Sequence, residues 1–237
     1  GEYAADGRPI RIDAPRVFRA FSVRTGVPTF LLREDERLRY DSMVAALSER
    51  VIGQGEAVDA LAQTLCKVKA RLAPPQKPLA NFLFVGPTGV GKTEVAKSLA
   101  RFLFSSEDRM VRFDMSEYMD PYAAERLIRG SERGEGELTK RVRQQPFCVV
   151  LLDEIEKAHP AVFDLLLQVL GEGRLSDARG KTTYFESAII IMTSNLGAAH
   201  RRPSLGFGEK PTEPGEADEA AQARSYYAEK VDDHFRP

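Results

Sequence analysis

Apolar positions follow two different periods along this chain, and the period predicts the type of each element. Spacings of three and four predict amphipathic helices, whereas continuous apolar runs predict strands covered on both faces. The helical period holds over Glu34–Arg50 and over Glu56–Leu72, and Pro74 and Pro75 end the second helix because proline cannot continue one. The apolar stripes are Leu38, Met43, Val44 and Leu47 in the first helix and Val58, Leu61, Leu65, Val68 and Leu72 in the second.

Continuous apolar runs occur at three later places and predict buried strands. These runs are Phe82–Val85, Phe147–Leu152 and Ala188–Met192, and a shorter alternating strand is predicted at Val111–Asp114. Four helices are predicted between these strands. Two have the bounds Ala123–Arg129 and Glu137–Gln144, another ends near Phe104, and the fourth begins at Pro160 and is stopped by Gly171 and Gly173. Arg174–Phe185 carries turn residues in its middle and predicts a hairpin. Strands alternating with helices predict an α/β fold with a mostly parallel sheet.

The pattern also suggests how the chain divides. Residues 1–50 are interpreted as a leader and a linker helix, with residues 1–27 extended or loosely packed. Residues 51–199 form the predicted core. Residues 200–224, rich in Pro, Gly, Ala and acidic residues, are interpreted as a flexible loop, and residues 225–237 as the start of a truncated helix.

Composition and charge narrow the classes of protein to which the chain can belong. It has 237 residues, 43% of them hydrophobic and 29% charged, and a formal net charge of -1. Such a balance gives no general attraction to nucleic acid or to an anionic membrane, and no apolar run approaches the ~20 residues of a membrane span. Cys66 and Cys148 are predicted to be reduced, buried thiols of a cytoplasmic protein. The first residue is Gly rather than Met, which favours a processed tag or an excised fragment.

The most specific motif is GPTGVGKT at Gly86–Thr93, which fits the G-x-x-x-x-G-K-[ST] pattern at every fixed position. It follows a predicted strand and precedes a predicted helix, the context in which this pattern binds phosphate. Pro87, Thr88, Gly89, Val90 and Gly91 would form the loop around the anion, with the backbone N–H groups of the last four and the helix start facing it. Lys92 is predicted to reach the terminal phosphates, and the Thr93 hydroxyl to hold magnesium.

A second candidate feature is the acidic pair Asp153–Glu154, directly after the strand Phe147–Leu152. Carboxylates at the carboxyl end of a buried strand lie where α/β sheets bind ligands. Asp153 suits the magnesium site, together with Thr93, and Glu154 suits the activation of an attacking water. An exposed acidic turn is the competing interpretation of the pair taken alone.

Two weaker signals accompany these motifs. Asn195 follows the strand Ala188–Met192, where its amide would orient a water against the terminal phosphate or would cap a turn. Val51 and Ile52 precede the helix before the phosphate loop, where they would wall an adenine ring or would belong to the ordinary core. The residues themselves leave both alternatives open.

Five long segments resemble the second ATPase module of the Clp-type AAA+ unfoldases and disaggregases. They are VIGQGEAVDAL, NFLFVGPTGVGKTEVAKSLA, MVRFDMSEYM, CVVLLDEIEKAHPAVFDLLLQVLGEGRL and AIIIMTSNLGA, and the resemblance extends over most of the chain. It implies the large subdomain of an AAA+ P-loop NTPase, with a five-stranded sheet in which the Asn195 strand lies between the phosphate-loop strand and the Asp153 strand. In that order, Asn195 lies between Lys92 and Glu154.

The resemblance also implies roles and partners. Carried over by position, Val51 and Ile52 contact adenine, Gly86–Thr93 bind the phosphates of ATP or ADP with magnesium, Asp153 and Glu154 form the Walker B pair, and Asn195 is the first sensor. It further implies a homo-hexameric ring that hydrolyses ATP and draws protein substrates through a central pore. From the balanced charge and the lack of a long apolar run, no nucleic-acid or membrane partner is expected.

Two departures from the family pattern affect this expectation. The family's pore loop carries an aromatic between glycines, whereas residues 129–137 are shorter and contain none, so either this protein does not thread in the usual way or residues are missing here. The chain also ends at Pro237, before the positions of the family's arginine finger, last sheet strand and helical lid. We therefore expect weak ATP hydrolysis from this fragment, because an arginine finger contributes factors of ~10³ or more in related sites.

Three functional hypotheses follow. The first is an ATP-hydrolysing motor module of a protein-remodelling chaperone. The second is a nucleotide-gated assembly or interaction module that does not thread substrate, which the pore loop without an aromatic favours. The third, a nucleic-acid-remodelling AAA+ protein, has little support because the charge is balanced and no nucleic-acid-reading element is visible.

Overall fold

The computed structural model describes residues 13–32, 40–70, 72, 75–104, 106–129, 134–197, 225–229 and 231–232. The helices are α1 Ala14–Thr25, α2 Thr29–Leu32, α3 Tyr40–Ser48, α4 Gly55–Lys69, α5 Lys92–Phe104, α6 Glu137–Gln144 and α7 Pro160–Glu172. The strands are β1 Ala80–Val85, β2 Met110–Asp114, β3 Val149–Asp153, β4 Arg174–Ser176, β5 Thr182–Tyr184 and β6 Ile189–Ser194. Single 3₁₀ turns occur at Glu107–Arg109, Met115–Tyr118 and Ile155–Lys157, and residues 225–229 and 231–232 are helical.

A four-stranded parallel sheet organises the fold, with strand order β1-β6-β3-β2. The predicted order, with the Asn195 strand between the other two, is confirmed. Strands β4 and β5 form the predicted antiparallel hairpin. This mostly parallel sheet flanked by helices is the fold class that the sequence predicts.

Side chains of the central strands alternate between two buried clusters, one on each face of the sheet. From β3, Val150 and Leu152 enter one cluster, whereas Val149 and Leu151 enter the other. Helices α6 and α7 cover the first face, and α3, α4 and α5 cover the second. Every residue of β3 is buried, which explains its continuous apolar run.

The amino-terminal segment differs from the extended conformation considered for residues 1–27. Residues 14–25 form α1, because Asp13 accepts the backbone N–H of Arg16 as an N-cap and Gly26, with φ of 81°, ends the helix in the left-handed region. No residue of α1 is buried, in agreement with loose packing. Capping residues therefore set both ends of this helix.

Several predicted boundaries change in the structure. Helix α3 is described from Tyr40 to Ser48, and its predicted start at Glu34, with Leu38, lies outside the described residues. Leu72, predicted in the α4 stripe, follows the helix end and is 74% exposed. The predicted α-helix at 123–129 contains a π-helical turn at Glu125–Arg129, and α7 continues through Gly171 to end only before Gly173.

Two predicted loops fall largely outside the description. The short loop 129–137 includes residues 130–133, and the loop predicted at 200–224 falls wholly outside the described residues. Both remain predictions, as does the division of the chain into four segments. Cys66 and Cys148 are free thiols; Cys148 is buried as predicted, whereas Cys66 is only partly buried. Among the described helices, none has both the length and the apolar character that crossing a membrane requires.

Candidate active site

The predicted site residues meet at one edge of the parallel sheet. Parallel strands end at the same edge, and the register pairs Val85 of β1 with Ser194 of β6. On the other side of β6, Leu152 of β3 pairs with Met192, so β3 reaches its acidic end beside Thr193 and Ser194. The phosphate loop, the acidic pair and Asn195 are therefore neighbours in space although they are far apart in sequence.

The phosphate loop is a turn whose shape depends on glycine. Gly89 and Gly91 adopt φ of 88° and 96°, values that residues with a Cβ rarely take. The backbone N–H of Gly86 donates to the carbonyl of Ser194 at 3.1 Å, which fixes the loop start to β6. Helix α5 begins at Lys92, directly after the loop. The five predicted contact residues, Pro87, Thr88, Gly89, Val90 and Gly91, all lie in this turn.

Lys92 is held at the centre of the site by three acceptors. Its Nζ donates to the carbonyl oxygens of Gly86 and Pro87 at 2.8 and 2.9 Å and to Oδ1 of Asn195 at 2.8 Å. Burial lowers the pKa of Lys92, and the nearby carboxylates, led by Asp153, oppose that shift. The ammonium group is thus oriented before any phosphate is bound.

Asp153 and Thr93 provide paired oxygen atoms beside the loop. Asp153 is 7% exposed, and its Oδ2 lies 3.4 Å from the Thr93 hydroxyl oxygen. Its other oxygen accepts the hydroxyl of Thr193. A hydroxyl and a carboxylate fit magnesium, which prefers oxygen ligands and uses only one or two from protein when phosphates supply others. Among the described residues, no group of three or more His, Cys, Asp or Glu side chains is placed to hold a metal by itself.

Glu154, the first residue after β3, has an unusual backbone conformation. Its φ of 56° and ψ of 51° are left-handed, which is uncommon for a residue other than glycine and turns the side chain back towards β6. The backbone N–H of Glu154 donates a hydrogen bond to Thr193 Oγ1 at 3.1 Å. Its side-chain Oε1 accepts a hydrogen bond from Nδ2 of Asn195 at 2.9 Å. Asn195 therefore contacts both Lys92 and Glu154, as the resemblance implied.

The structure also shows site contacts that the sequence analysis missed. Lys157 pairs with Oε2 of Glu154 at 2.5 Å, and this hydrogen bond raises the pKa of Lys157. Glu156 accepts the backbone N–H of Asn195 at 3.0 Å. Arg112, on the alternating strand β2, pairs with Asp153 Oδ2 at 2.6 Å. Lys157 and Glu156 follow a buried strand, and Arg112 lies within a strand, so their positions are visible in the sequence. Their partners lie on other strands or turns, and only the three-dimensional structure shows which they are.

The two residues proposed to contact adenine are placed differently from the rest. Val51 is 6% exposed within the core, whereas Ile52 is 87% exposed. A cavity of about 200 Å³ lies between the start of α4, the end of β1 and the phosphate loop. It is lined by Gln54, Ala57, Leu83, Phe84, Val85, Val90, Lys92 and Val95. The structure does not bring Val51 and Ile52 into this lining, so their contact with adenine stays a prediction.

Comparison with known proteins identifies what this arrangement resembles. The family model described as AAA domain (Cdc48 subfamily) matches residues 77–237. The chain is 48% identical over 219 residues to the chaperone protein ClpB of Agrobacterium fabrum. This alignment covers 90% of this chain and 24% of that protein. It is 46% identical over 224 residues to ClpB of Oceanobacillus iheyensis, with 91% of this chain and 27% of that protein covered.

A solved structure shows the same architecture. The closed-state cryo-EM reconstruction of Hsp104 with ATPγS and FITC casein matches with a TM-score of 0.75 and 35% identity over 98% of this chain and 39% of that chain. This chain spans about a quarter of the length of the curated relatives quoted above.

Proposed function

We propose that this chain, which belongs to the AAA domain family of the Cdc48 subfamily, is a module that binds and hydrolyses ATP within a protein-remodelling chaperone. The observation that carries the proposal is the continuous set of contacts from Lys92 through Asn195 to Glu154, beside Thr93 and Asp153. This row of contacts supports Lys92 as the phosphate-binding cation, Asn195 as the amide that positions water and Glu154 as the base.

The loop and Lys92 supply phosphate binding. The backbone N–H groups of the glycine-rich turn and the start of α5 attract anions, and the Lys92 ammonium adds a full positive charge. On binding, Lys92 exchanges its carbonyl acceptors for phosphate oxygens. Magnesium held by Thr93 and Asp153 would neutralise charge on the phosphates.

Glu154 and Asn195 supply the hydrolytic step. Glu154 would accept a proton from the attacking water, and the Asn195 amide would hold that water in line with the terminal phosphate. Both oxygens of Glu154 already have donors, Asn195 at Oε1 and Lys157 at Oε2. Lys157 is on the exposed side, so the water would take its place at Oε2.

The wider biological role is carried over from the relatives. We propose protein substrates, a homo-hexameric ring and a cytoplasmic location, because the chain is 46–48% identical to two ClpB chaperones and is similar in fold to Hsp104, whose structure was solved with casein. The nucleotide-gated module that does not thread substrate is the alternative. The similarity to chaperones does not favour it.

The test is ATP turnover by the full-length protein and by its Glu154→Gln variant, measured as phosphate release, with nucleotide affinity measured in parallel. We expect turnover to fall by at least ~10²-fold with affinity retained, because the amide cannot accept the proton of water. Glu172→Gln, an exposed glutamate at the end of α7, is the matched control and should behave like the parent.

Two results would contradict the proposal. Equal turnover in the parent and in Glu154→Gln would remove Glu154 from the reaction. Tight ATP binding without turnover in the parent would instead support the nucleotide-gated alternative.

A further inference from the structure

Arg112 reaches the acidic end of the neighbouring strand. In the register of the sheet, Arg112 of β2 pairs with Leu151, two positions before Asp153. Its Nη2 nevertheless lies 2.6 Å from Asp153 Oδ2. The Arg112 side chain is 50% exposed, whereas that of Asp153 is 11% exposed. The guanidinium therefore comes from the solvent side and covers the outer face of a buried carboxylate.

The same carboxylate oxygen belongs to the candidate magnesium site. Asp153 Oδ2 is the atom that also lies 3.4 Å from the Thr93 hydroxyl. A guanidinium hydrogen-bonded to Oδ2 occupies a lone-pair direction that a metal ion bound to this oxygen would use. It also repels a second cation, and this repulsion is strong at short distance in a partly buried site. Arg112 and magnesium therefore compete for this oxygen.

Asp153 requires a cation close to it. A buried carboxylate without a paired charge is strongly unfavourable. Within the described part of the chain, Arg112 is the only basic side chain in an ion pair with Asp153, since the Lys92 ammonium donates to two carbonyls and to Asn195. In direct contact with Oδ2, either Arg112 or a metal ion can supply this charge, while the Lys92 ammonium adds an attraction from further away.

A polar cavity next to Arg112 offers a second position for its guanidinium. It has a volume of about 400 Å³ and lies along the outer side of β2. Its lining comprises Arg112 and Arg141, the carboxylates Asp114, Glu117 and Glu137, and the rings of Phe113 and Tyr118. Three carboxylates facing one cavity would stabilise a guanidinium released from Asp153.

We propose that Arg112 competes with magnesium for Asp153 Oδ2 and thereby sets the magnesium affinity of the site. When magnesium binds with nucleotide, the guanidinium leaves Asp153 and turns into the acidic cavity beside β2. Arg112 is thus a positioning residue that lowers the occupancy of the metal site at low magnesium concentration. The inference rests on the proposed function, because it assumes that Thr93 and Asp153 hold magnesium with a nucleotide.

The experiment measures magnesium dependence of nucleotide binding. Binding of fluorescent mant-ADP is followed in EDTA and then at increasing free magnesium, for the parent, Arg112→Gln and Arg112→Lys. We expect the magnesium concentration at half-saturation to fall about fivefold in Arg112→Gln. This is the change expected when a half-exposed ion pair that competes with magnesium is lost. Arg112→Lys keeps the charge but has a shorter reach and should shift in the same direction by less.

The structure provides a matched control. Arg101 also makes a 2.6 Å ion pair, with Glu107, and its side chain is 47% exposed, but it lies on α5 away from Asp153. Arg101→Gln should leave the magnesium half-saturation unchanged. Thermal unfolding in EDTA provides a second measurement, in which Arg112→Gln should unfold at a lower temperature than the parent and gain more from added magnesium and nucleotide.

The outcomes separate the two proposals. An unchanged half-saturation in Arg112→Gln overturns the competition, and a raised one shows that Arg112 instead assists binding of the metal-nucleotide complex. Failure of the parent to bind mant-ADP at any magnesium concentration overturns the proposed nucleotide site itself. Should Arg112→Gln be unfolded in EDTA, Arg112→Lys decides the question by the direction of its shift.

Discussion

Lys92 donates to the side-chain oxygen of Asn195 at 2.8 Å, although 103 positions separate the two residues. The nitrogen of the same amide donates to Glu154 at 2.9 Å. An ammonium has only donors and a carboxylate only acceptors, so the two partners fix which way the amide faces. Asn195 therefore links the phosphate-binding lysine to the candidate base through a single oriented side chain.

Removal of this amide should slow hydrolysis more than it weakens binding. In Asn195→Ala, the glycine-rich loop and Lys92 remain, so nucleotide affinity should stay near that of the parent. Turnover should fall by about 10²-fold, the usual effect of losing one oriented donor in an active site. Phosphate release and mant-nucleotide affinity, measured on the same samples, test this expectation.

The Asn195→Asp variant tests whether the oriented amide donor of residue 195, rather than the size of its side chain, supports turnover. The aspartate has nearly the same shape, but it cannot donate to Glu154 and adds a second negative charge beside it. We expect turnover as low as in Asn195→Ala. Turnover at the parent level in either variant would show that the amide has no part in the reaction.

Gly173 ends α7 at a position where a side chain has no room. Its φ is 61°, and a Cβ added there would lie 2.4 Å from the carbonyl oxygen of Gln76, in the turn before β1. Gly173→Ala should lower the free energy of unfolding by about 1–3 kcal/mol, from the left-handed conformation and the clash together. Urea unfolding followed by circular dichroism provides the measurement.

Gly171, two residues earlier within α7, provides the opposite case. A Cβ added there meets no atom within 4 Å. Gly171→Ala should therefore raise the free energy of unfolding by about 0.5–1 kcal/mol, because alanine loses less backbone entropy in a helix. Equal effects of the two substitutions would contradict the assigned end of the helix.

Asp177 couples the stability of the hairpin to pH. Burial raises the pKa of Asp177, but the backbone N–H groups of Lys181 and Arg179, together with Arg143, outweigh that effect and hold it below the ordinary value of 3.8. A lowered pKa contributes stability that is fully present above the ordinary value and is lost as pH falls through the lowered one. The ionised side chain should therefore stabilise the fold at neutral pH and not in strong acid.

The corresponding variant is Asp177→Asn. Its urea midpoint should lie below that of the parent at pH 7, and the difference should narrow as pH falls from the ordinary pKa of aspartate through the lowered one. Asp164→Asn, at an exposed position of α7, controls for the loss of one negative charge. A difference that stays constant from neutral to acidic pH would contradict an ionised Asp177.

Local patterns in the sequence were sufficient for most of the elements. The continuous apolar runs located β1, β3 and β6, and α6 has the predicted bounds Glu137–Gln144. The hairpin followed from the turn residues around Asp177. Helix α1 and the π-helical turn at Glu125–Arg129 were not predicted, because α1 buries no residue in the core and a π-helical turn differs from an α-helix in backbone geometry rather than in residue types.

The chemistry of the site is already present in the sequence, as the glycine-rich loop with Lys92 and Thr93 and the acidic pair after a buried strand. Tertiary structure decided which of these groups touch, because sheet order places β6 between β1 and β3 and so brings Asn195 between Lys92 and Glu154. It also paired Arg112 with Asp153 across 41 positions. Such contacts depend on register between strands, and register is set by the packing of the whole sheet rather than by neighbours in sequence.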